Sequence, residues 1–153
     1  LRPGGVTLEQ LRDVLGEVEV DAAVTRQMRA GEKPKAPGMA YRHYAPKAPV
    51  TVVAGDPAKS AAYIAAHAGE GDGIICFDEY MSLFPKQAVT KHVMELGSEL
   101  DKEEQARHIF DALRTFDHTH VSAIWAQCPD TAGIGLAVAN RLSKAAGFHI
   151  IEV

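Results

Sequence analysis

VSAIWAQCPDTAGIGLAVANRLSKAAGFHIIEV, residues 121–153, reads as strand, helix and strand in succession. Val121–Ala126 is apolar on both faces, the mark of a strand covered on two sides. Gly133–Ala146 has the length and spacing of a helix, and Phe148–Val153 returns to strand character. Working upstream, Asp101–Asp117 is the clearest helix: Ala106, Ile109, Phe110 and Leu113 make one apolar stripe opposite Glu103, Arg107, Asp111 and Arg114. Val89–Leu96 is a further strand, half exposed because of its charges and His92, and Gly73–Phe77 (GIICF) is another. Val50–Ala54 opens the series as a short buried strand, followed by a helix over Pro57–Ala68 with Asp56 as its cap and Pro57 at its first position. Strands and helices alternate from residue 50 to the end, so the fold class is α/β with a mostly parallel sheet. No internal repeat or low-complexity tract interrupts the series.

Before residue 50 the pattern changes. Thr7-Leu8-Glu9-Gln10 carries the spacing of a capping box, and Leu8, Leu11 and Leu15 share one face of the short helix it starts. Three leucines bury little surface by themselves, so this helix is expected to dock on a neighbour outside the chain, as the tail of another domain. From Asp21 to Pro49 periodicity is lost, and Pro34, Pro37, Pro46 and Pro49 with Gly31 and Gly38 exclude regular helix and interior strand. This is a linker. Between Lys33 and Gly55 there is no Asp or Glu, whereas Lys33, Lys35, Arg42 and Lys47 bring four positive charges.

The whole chain has 153 residues, 46% of them hydrophobic, which suffices for a core and excludes intrinsic disorder. Its formal net charge of -4 excludes coating of nucleic acid by bulk electrostatics, so any anion site is local. Cys76 and Cys128 lie far apart in apolar runs, as reduced core residues of a cytoplasmic protein. No apolar run approaches the roughly 20 residues of a membrane helix. The first residue is Leu1, so the chain is expected to be part of something longer.

The densest chemistry is Pro37–Pro46, PGMAYRHYAP. A proline-held segment loses little entropy on docking, and Tyr41, Arg42, His43 and Tyr44 offer stacking faces, a bidentate phosphate clamp and a titratable donor. That set suits a nucleoside triphosphate. It equally suits aromatics that pin the linker on its own domain while Arg42 pairs with a surface carboxylate. Elsewhere, Gly133-Ile134-Gly135 before a helix, with Glu152 about nineteen residues on, imitates a dinucleotide fingerprint. Cys128–Ala132, however, separate it from its strand, which favours glycines that let helix and sheet approach closely. His118 and His120 share a face but lack a third metal ligand. His67, His92 and His108 are expected on solvated surfaces and Trp125 in the core. Cys128 lacks the basic neighbours of a reactive thiolate.

The run APGMAYRHYAPKAP (36–49) resembles the interdomain linker of the long, two-domain form of the threonylcarbamoyl-AMP synthase family, in which a YrdC-type catalytic domain precedes a linker and a smaller Rossmann-like domain. Leu1-Arg2-Pro3-Gly4 is similar to the end of the YrdC-type domain. Ala106–Arg114, Gly135-Leu136-Ala137 and Asn140-Arg141-Leu142 are similar to the C-terminal domain. The resemblance implies three parts: the catalytic domain's tail over 1–20, the linker over 21–49, and a Rossmann-like three-layer domain over 50–153. It implies condensation of L-threonine, bicarbonate and ATP, with magnesium, into threonylcarbamoyl-AMP and pyrophosphate, for threonylcarbamoyladenosine modification of tRNA. Arg2 would then line the nucleotide site, and Tyr41, Arg42, His43 and Tyr44 would fold over it as a lid. The family often has lysine where this chain has Ala40.

By the same resemblance the catalytic residues lie upstream, so this chain holds no catalytic or metal-ligating residue, binds no cofactor alone and is inactive by itself. Its C-terminal domain is supportive or regulatory. Its partners would be its own catalytic domain, the downstream tRNA threonylcarbamoyl-transferase proteins, with RNA as a further candidate, and no membrane. The alternative reading is a stand-alone Rossmann-like nucleotide- or protein-binding module without enzymatic activity.

Overall fold

Five strands run parallel in a single sheet. In a computed structural model that describes residues 3–28, 32, 45–84 and 92–153, they are β1 (Val50–Ala54), β2 (Gly73–Cys76), β3 (Val93–Glu95), β4 (Ile124–Gln127) and β5 (Ile150–Glu152). Their spatial order is β3-β2-β4-β1-β5. Four α-helices accompany them among the described residues: α1 (Leu8–Leu15), α2 (Pro57–His67), α3 (Lys102–Asp117) and α4 (Gly135–Ala145). The expected α/β class holds, with every described pairing parallel.

Period-two alternation divides the strand side chains between two covered faces. Val50, Val52, Ile75, Ile124 and Ala126 join Ile109, Leu113, Phe116, Val138 and Leu142 of α3 and α4 in the larger core. Val53, Ile74 and Cys76 face the other way, onto Ile64 of α2 and Phe84. Burial on both faces is why the strands read as unbroken apolar runs. The layers are therefore α2, the sheet, and the α3–α4 pair.

Element boundaries move where the backbone turns. β4 starts at Ile124 because the amide of Val121 first closes a turn onto the carbonyl of Thr119 and that of Ser122 bonds Gly71. β5 starts at Ile150 because Gly147 (φ 59°) and Phe148 (φ 63°) occupy the left-handed region that ends α4. The Phe148 amide then bonds the Ser143 carbonyl. Val93–Glu95 forms an edge strand, as its half exposure implied, and residues 89–91 of that expectation lie outside the described residues. Trp125 is half-buried rather than core, with Nε1 donating to Asp72 Oδ2 at 3.1 Å. His67 and His108 are exposed, but His92 is half-buried and its Nδ1 is shielded from solvent.

Upstream, Thr7 and Gln10 form the reciprocal capping box at 3.2 and 2.9 Å. Helix α1 finds a neighbour within the chain: with Val24, Leu136 and Ala137, its Leu8 and Leu11 line a groove of about 170 Å³. Val14 and Leu15 remain exposed. The linker does not begin structureless. Asp21 caps a 3₁₀ turn over Ala22–Val24, and both Ala23 and Val24 are buried.

Candidate functional site

The residues expected from the sequence to meet a nucleotide, Arg2, Tyr41, Arg42, His43 and Tyr44, lie outside the described residues, as do Lys33 and Lys35. What the structure does describe is how the linker is held at each side of that segment. On the entry side, the buried Asn140 of α4 donates from Nδ2 to the carbonyl of Val24 at 2.7 Å. Two residues on, the Arg26 guanidinium forms two bonds with the Glu32 carboxylate, at 2.8 and 3.1 Å. That pairing raises the Arg26 pKa. On the exit side, the backbone N–H of Lys47 donates to Asp117 Oδ1, in the last turn of α3, at 3.1 Å. Pro46 is buried and Ala48 packs against the larger core. Both anchors therefore belong to the α3–α4 layer.

The carboxyl end of the sheet is the other place where an α/β fold builds sites, at the point where successive helices leave on opposite faces. Here that point lies between β1, followed by α2, and β4, followed by α4. It is closed by Gln127, which is fully buried. Its Nε2 donates to the Pro57 carbonyl at 2.8 Å and Ser60 Oγ at 2.9 Å, and its Oε1 accepts from the Phe77 amide at 3.0 Å. One side chain thereby joins β4, the start of α2 and the end of β2.

The glycine turn before α4 is likewise engaged by the chain itself. The Gly133 amide donates to Glu9 Oε1 at 3.3 Å. The backbone N–H groups of Glu9 and Gly133 hold that carboxyl below its usual pKa. A Cβ on Gly135 would lie 2.2 Å from the Asp130 carbonyl oxygen, so this glycine permits a close approach of the α4 start to the loop that precedes it, whereas a Cβ on Gly133 would meet nothing within 4 Å. Asp130 accepts from Lys102 Nζ and from the Ala132 amide, and the lysine bond chiefly lowers its pKa.

His118 and His120 are exposed, and no group of three His, Cys, Asp or Glu among the described residues could hold a metal ion. Cys76 and Cys128 are free and buried; burial first, then neighbouring carboxylates, pushes each thiol up to about 12. Both are therefore poor nucleophiles near neutrality.

Sequence reasoning missed Asn140, Asp117 and Gln127 as anchors. A signal existed for two of them. Asn140 interrupts the apolar run Leu136–Ala139 of a helix, and Gln127 ends the apolar run of a strand buried on both faces. A buried amide in such a place has to find partners. Asp117 gave no such signal, since a carboxylate in the last turn of a helix reads as solvated surface.

A family model described as the C-terminal domain of threonylcarbamoyl-AMP synthase matches residues 6–147. The threonylcarbamoyl-AMP synthase of Bacillus subtilis is 39% identical over 155 residues, covering 99% of this chain and 42% of the relative. That of Pyrococcus abyssi is 42% identical over 159 residues, covering 100% and 43%. Among solved structures, a variant of P. abyssi Sua5 with a His and a Tyr replaced by Ala matches with a TM-score of 0.81 at 40% identity, over 100% of this chain and 42% of that one. P. abyssi Sua5 complexed with L-threonine matches with a TM-score of 0.77 at 39% identity, over 100% and 43%. The chain thus spans about two fifths of the length of the curated relatives it matches. With a matching family model over nearly its whole length and the parallel α/β fold of these relatives, the chain belongs to the threonylcarbamoyl-AMP synthase C-terminal domain family.

Proposed function

We propose that this chain is the linker and C-terminal domain of a threonylcarbamoyl-AMP synthase and that its linker covers the nucleotide on the upstream catalytic domain. The observation that carries the reading is the match to full-length synthases across the entire chain, linker included. The P. abyssi relative complexed with L-threonine supports threonine as the amino-acid substrate. In the reaction, the carboxylate oxygen of N-carboxylated threonine attacks the α-phosphorus of ATP. The bond from that phosphorus to the bridging oxygen breaks, and pyrophosphate leaves with the electron pair.

Within that scheme Arg42 pairs with phosphate oxygens, Tyr41 and Tyr44 stack on apolar or base surface, and His43 donates a hydrogen bond; Arg2 lines the same site. Closure of the linker excludes water from an adenylate that water would hydrolyse. Catalytic groups are supplied by the upstream domain, so this chain alone makes no adenylate. The described residues contain no ligand set for magnesium, and no step is assigned to a metal held by this chain. The product would feed proteins that transfer the threonylcarbamoyl group to tRNA.

Substituting Arg42→Ala in the full-length enzyme tests the lid. Loss of a charge-assisted bond of about 1.5–3 kcal/mol predicts a fall of roughly 10- to 100-fold in kcat/KM for ATP, with the melting temperature unchanged. Undiminished adenylate formation removes Arg42 from the site. Calorimetry on this chain alone separates the stand-alone module: heat from NAD would favour that alternative, whereas the lid reading expects none from either NAD or ATP.

A further inference from the structure

At the carboxyl ends of β2 and β3, the 3₁₀ segment Asp78–Leu83 is laced to the turn of residues 97–100. Asp78 Oδ1 accepts from the Gly97 amide at 3.2 Å. Glu79 accepts from Ser98 Oγ at 2.6 Å and from the Glu99 amide at 3.0 Å. Glu99 Oε2 accepts from the Tyr80 hydroxyl at 2.8 Å. Among the described residues, Asp78 Oδ2 and Glu99 Oε1 are left without a donor, and no Lys or Arg forms an ion pair with these carboxylates. Asp56 adds to the negative field. The Tyr80 phenol is pushed up to about 12, first by its bond to Glu99, then by burial and by the charges of Glu99, Asp56 and Glu79. Carboxylates gathered without a counter-charge repel one another, and an arriving cation relieves that repulsion.

Against the same turn lies a second group that lacks a donor. Gln105 of α3 is fully buried and its Nε2 donates to the Ser98 carbonyl at 2.6 Å, but its Oε1 has no partner among the described residues. Buried acceptors are almost always paired, so one held at this turn without a donor marks where a donor is missing. The rim of the turn is apolar: Leu100 is 86% exposed and Leu83, at the end of the 3₁₀ segment, 46%. A compact, strongly hydrated ammonium does not suit leucines beside carboxylates. A guanidinium does, because it is weakly hydrated, it stands on an apolar stem, and its fork of N–H groups serves several acceptors at once.

We propose that the 97–100 turn is a docking site for an arginine side chain of a protein partner. Asp78 and Glu99 pair with the guanidinium, Leu83 and Leu100 pack on its stem, and Gln105 Oε1 gains the donor it lacks. Since that oxygen is shielded in the free chain, docking shifts the turn, and the Gln105 side chain reports the shift. The site stands on described residues of the C-terminal domain and is independent of the lid reading.

The probes are the peptide acetyl-Gly-Arg-Leu-Gly-amide and its lysine counterpart, each titrated into the whole chain at physiological ionic strength and followed by NMR. The arginine peptide is expected to move the amides of residues 97–100 and the side-chain NH₂ of Gln105, and to bind more tightly than the lysine peptide. Asp78→Asn and Glu99→Gln keep an acceptor for the Gly97 amide and the Tyr80 hydroxyl, so the fold is retained. Each is expected to raise the Kd of the arginine peptide roughly two- to fivefold, the scale of a partly exposed ion pair. Unmoved resonances at 97–100 or at Gln105 overturn the proposal. Equal affinity for the lysine peptide, equal shifts at Glu17 and Glu19, or an unchanged Kd in both variants also overturn it, because each is the pattern of general attraction to negative charge. Binding shown by this chain but lost in the full-length synthase overturns it as well, since the upstream part would then occupy the turn.

Discussion

Gln127 concentrates at one residue what holds the carboxyl end of the sheet together. Its amide has three partners on two other elements, and all lie where solvent cannot replace it. Replacing it with Leu preserves volume but orphans the Phe77 amide, whereas the Pro57 carbonyl keeps its bond from Ser60 Oγ. Buried groups left without partners cost roughly 1–3 kcal/mol each. Gln127→Leu is therefore expected to lower the unfolding free energy by about 1–3 kcal/mol, read as a shift of the urea midpoint at unchanged slope; a loss below about 1 kcal/mol would show that the tie is dispensable. Asn140 is also buried but lies on an outer helix, where its Nδ2 donates to the Val24 carbonyl. Neither role is visible from residue type alone. A Gln at the end of an apolar strand and an Asn inside an apolar helix show that a partner is required, not which one it is.

At the scale of elements, the α4 N-terminus shows how a motif can be put to local use. A helix start offers unpaired N–H groups and a positive dipole end, which accounts for the anion sites of dinucleotide-binding folds. Here Glu9 of α1 takes the Gly133 amide, and Asp130 takes the Ala132 amide while bonding Lys102 of α3. The latter pair links α3 to the loop that leads into α4. Its carboxyl titrates below the ordinary 3.8, mainly because of Lys102. A carboxylate depressed on folding contributes stability that is present in full above the unfolded value and is lost as the pH falls through the folded one. The contribution therefore begins to fall below about pH 3.8 and is gone below the lower, folded value, and it is small, under about 1 kcal/mol, because the Asp130 side chain is 68% exposed and screened. In Lys102→Met the Asp130 carboxyl should titrate closer to 3.8 by NMR, with little change in stability at neutral pH; an unmoved titration would mean that the lysine does not set it.

For the molecule as a whole, the two thiols report on the two sides of the sheet. Cys76 belongs to the α2 side and Cys128 to the α3–α4 side, with burial pushing each to about 12. Since β2, β4 and β1 are hydrogen-bonded neighbours shared by both cores, the layers are expected to open together. Alkylation at pH 8 should leave both cysteines unmodified in the native protein and modify both across a single urea transition. Separate midpoints would show that one layer unfolds before the other.

The alternation of strand and helix, and hence the α/β class, follows from the sequence by itself, because a strand covered on both faces must be apolar at every position and a helix covered on one must be apolar every three to four. VSAIWA, GIICF and the Ile109–Leu113 stripe satisfy those rules locally. Thr7 with Gln10 and Asp56 with Pro57 mark helix starts for an equally local reason, a side chain meeting a backbone three residues away. Only the tertiary structure decided that β4 inserts between β1 and β2, that Glu9 meets Gly133, and that Asn140 and Asp117 grip the linker. Each of these joins groups distant in sequence, and no rule of spacing or propensity reaches across the chain to pair them.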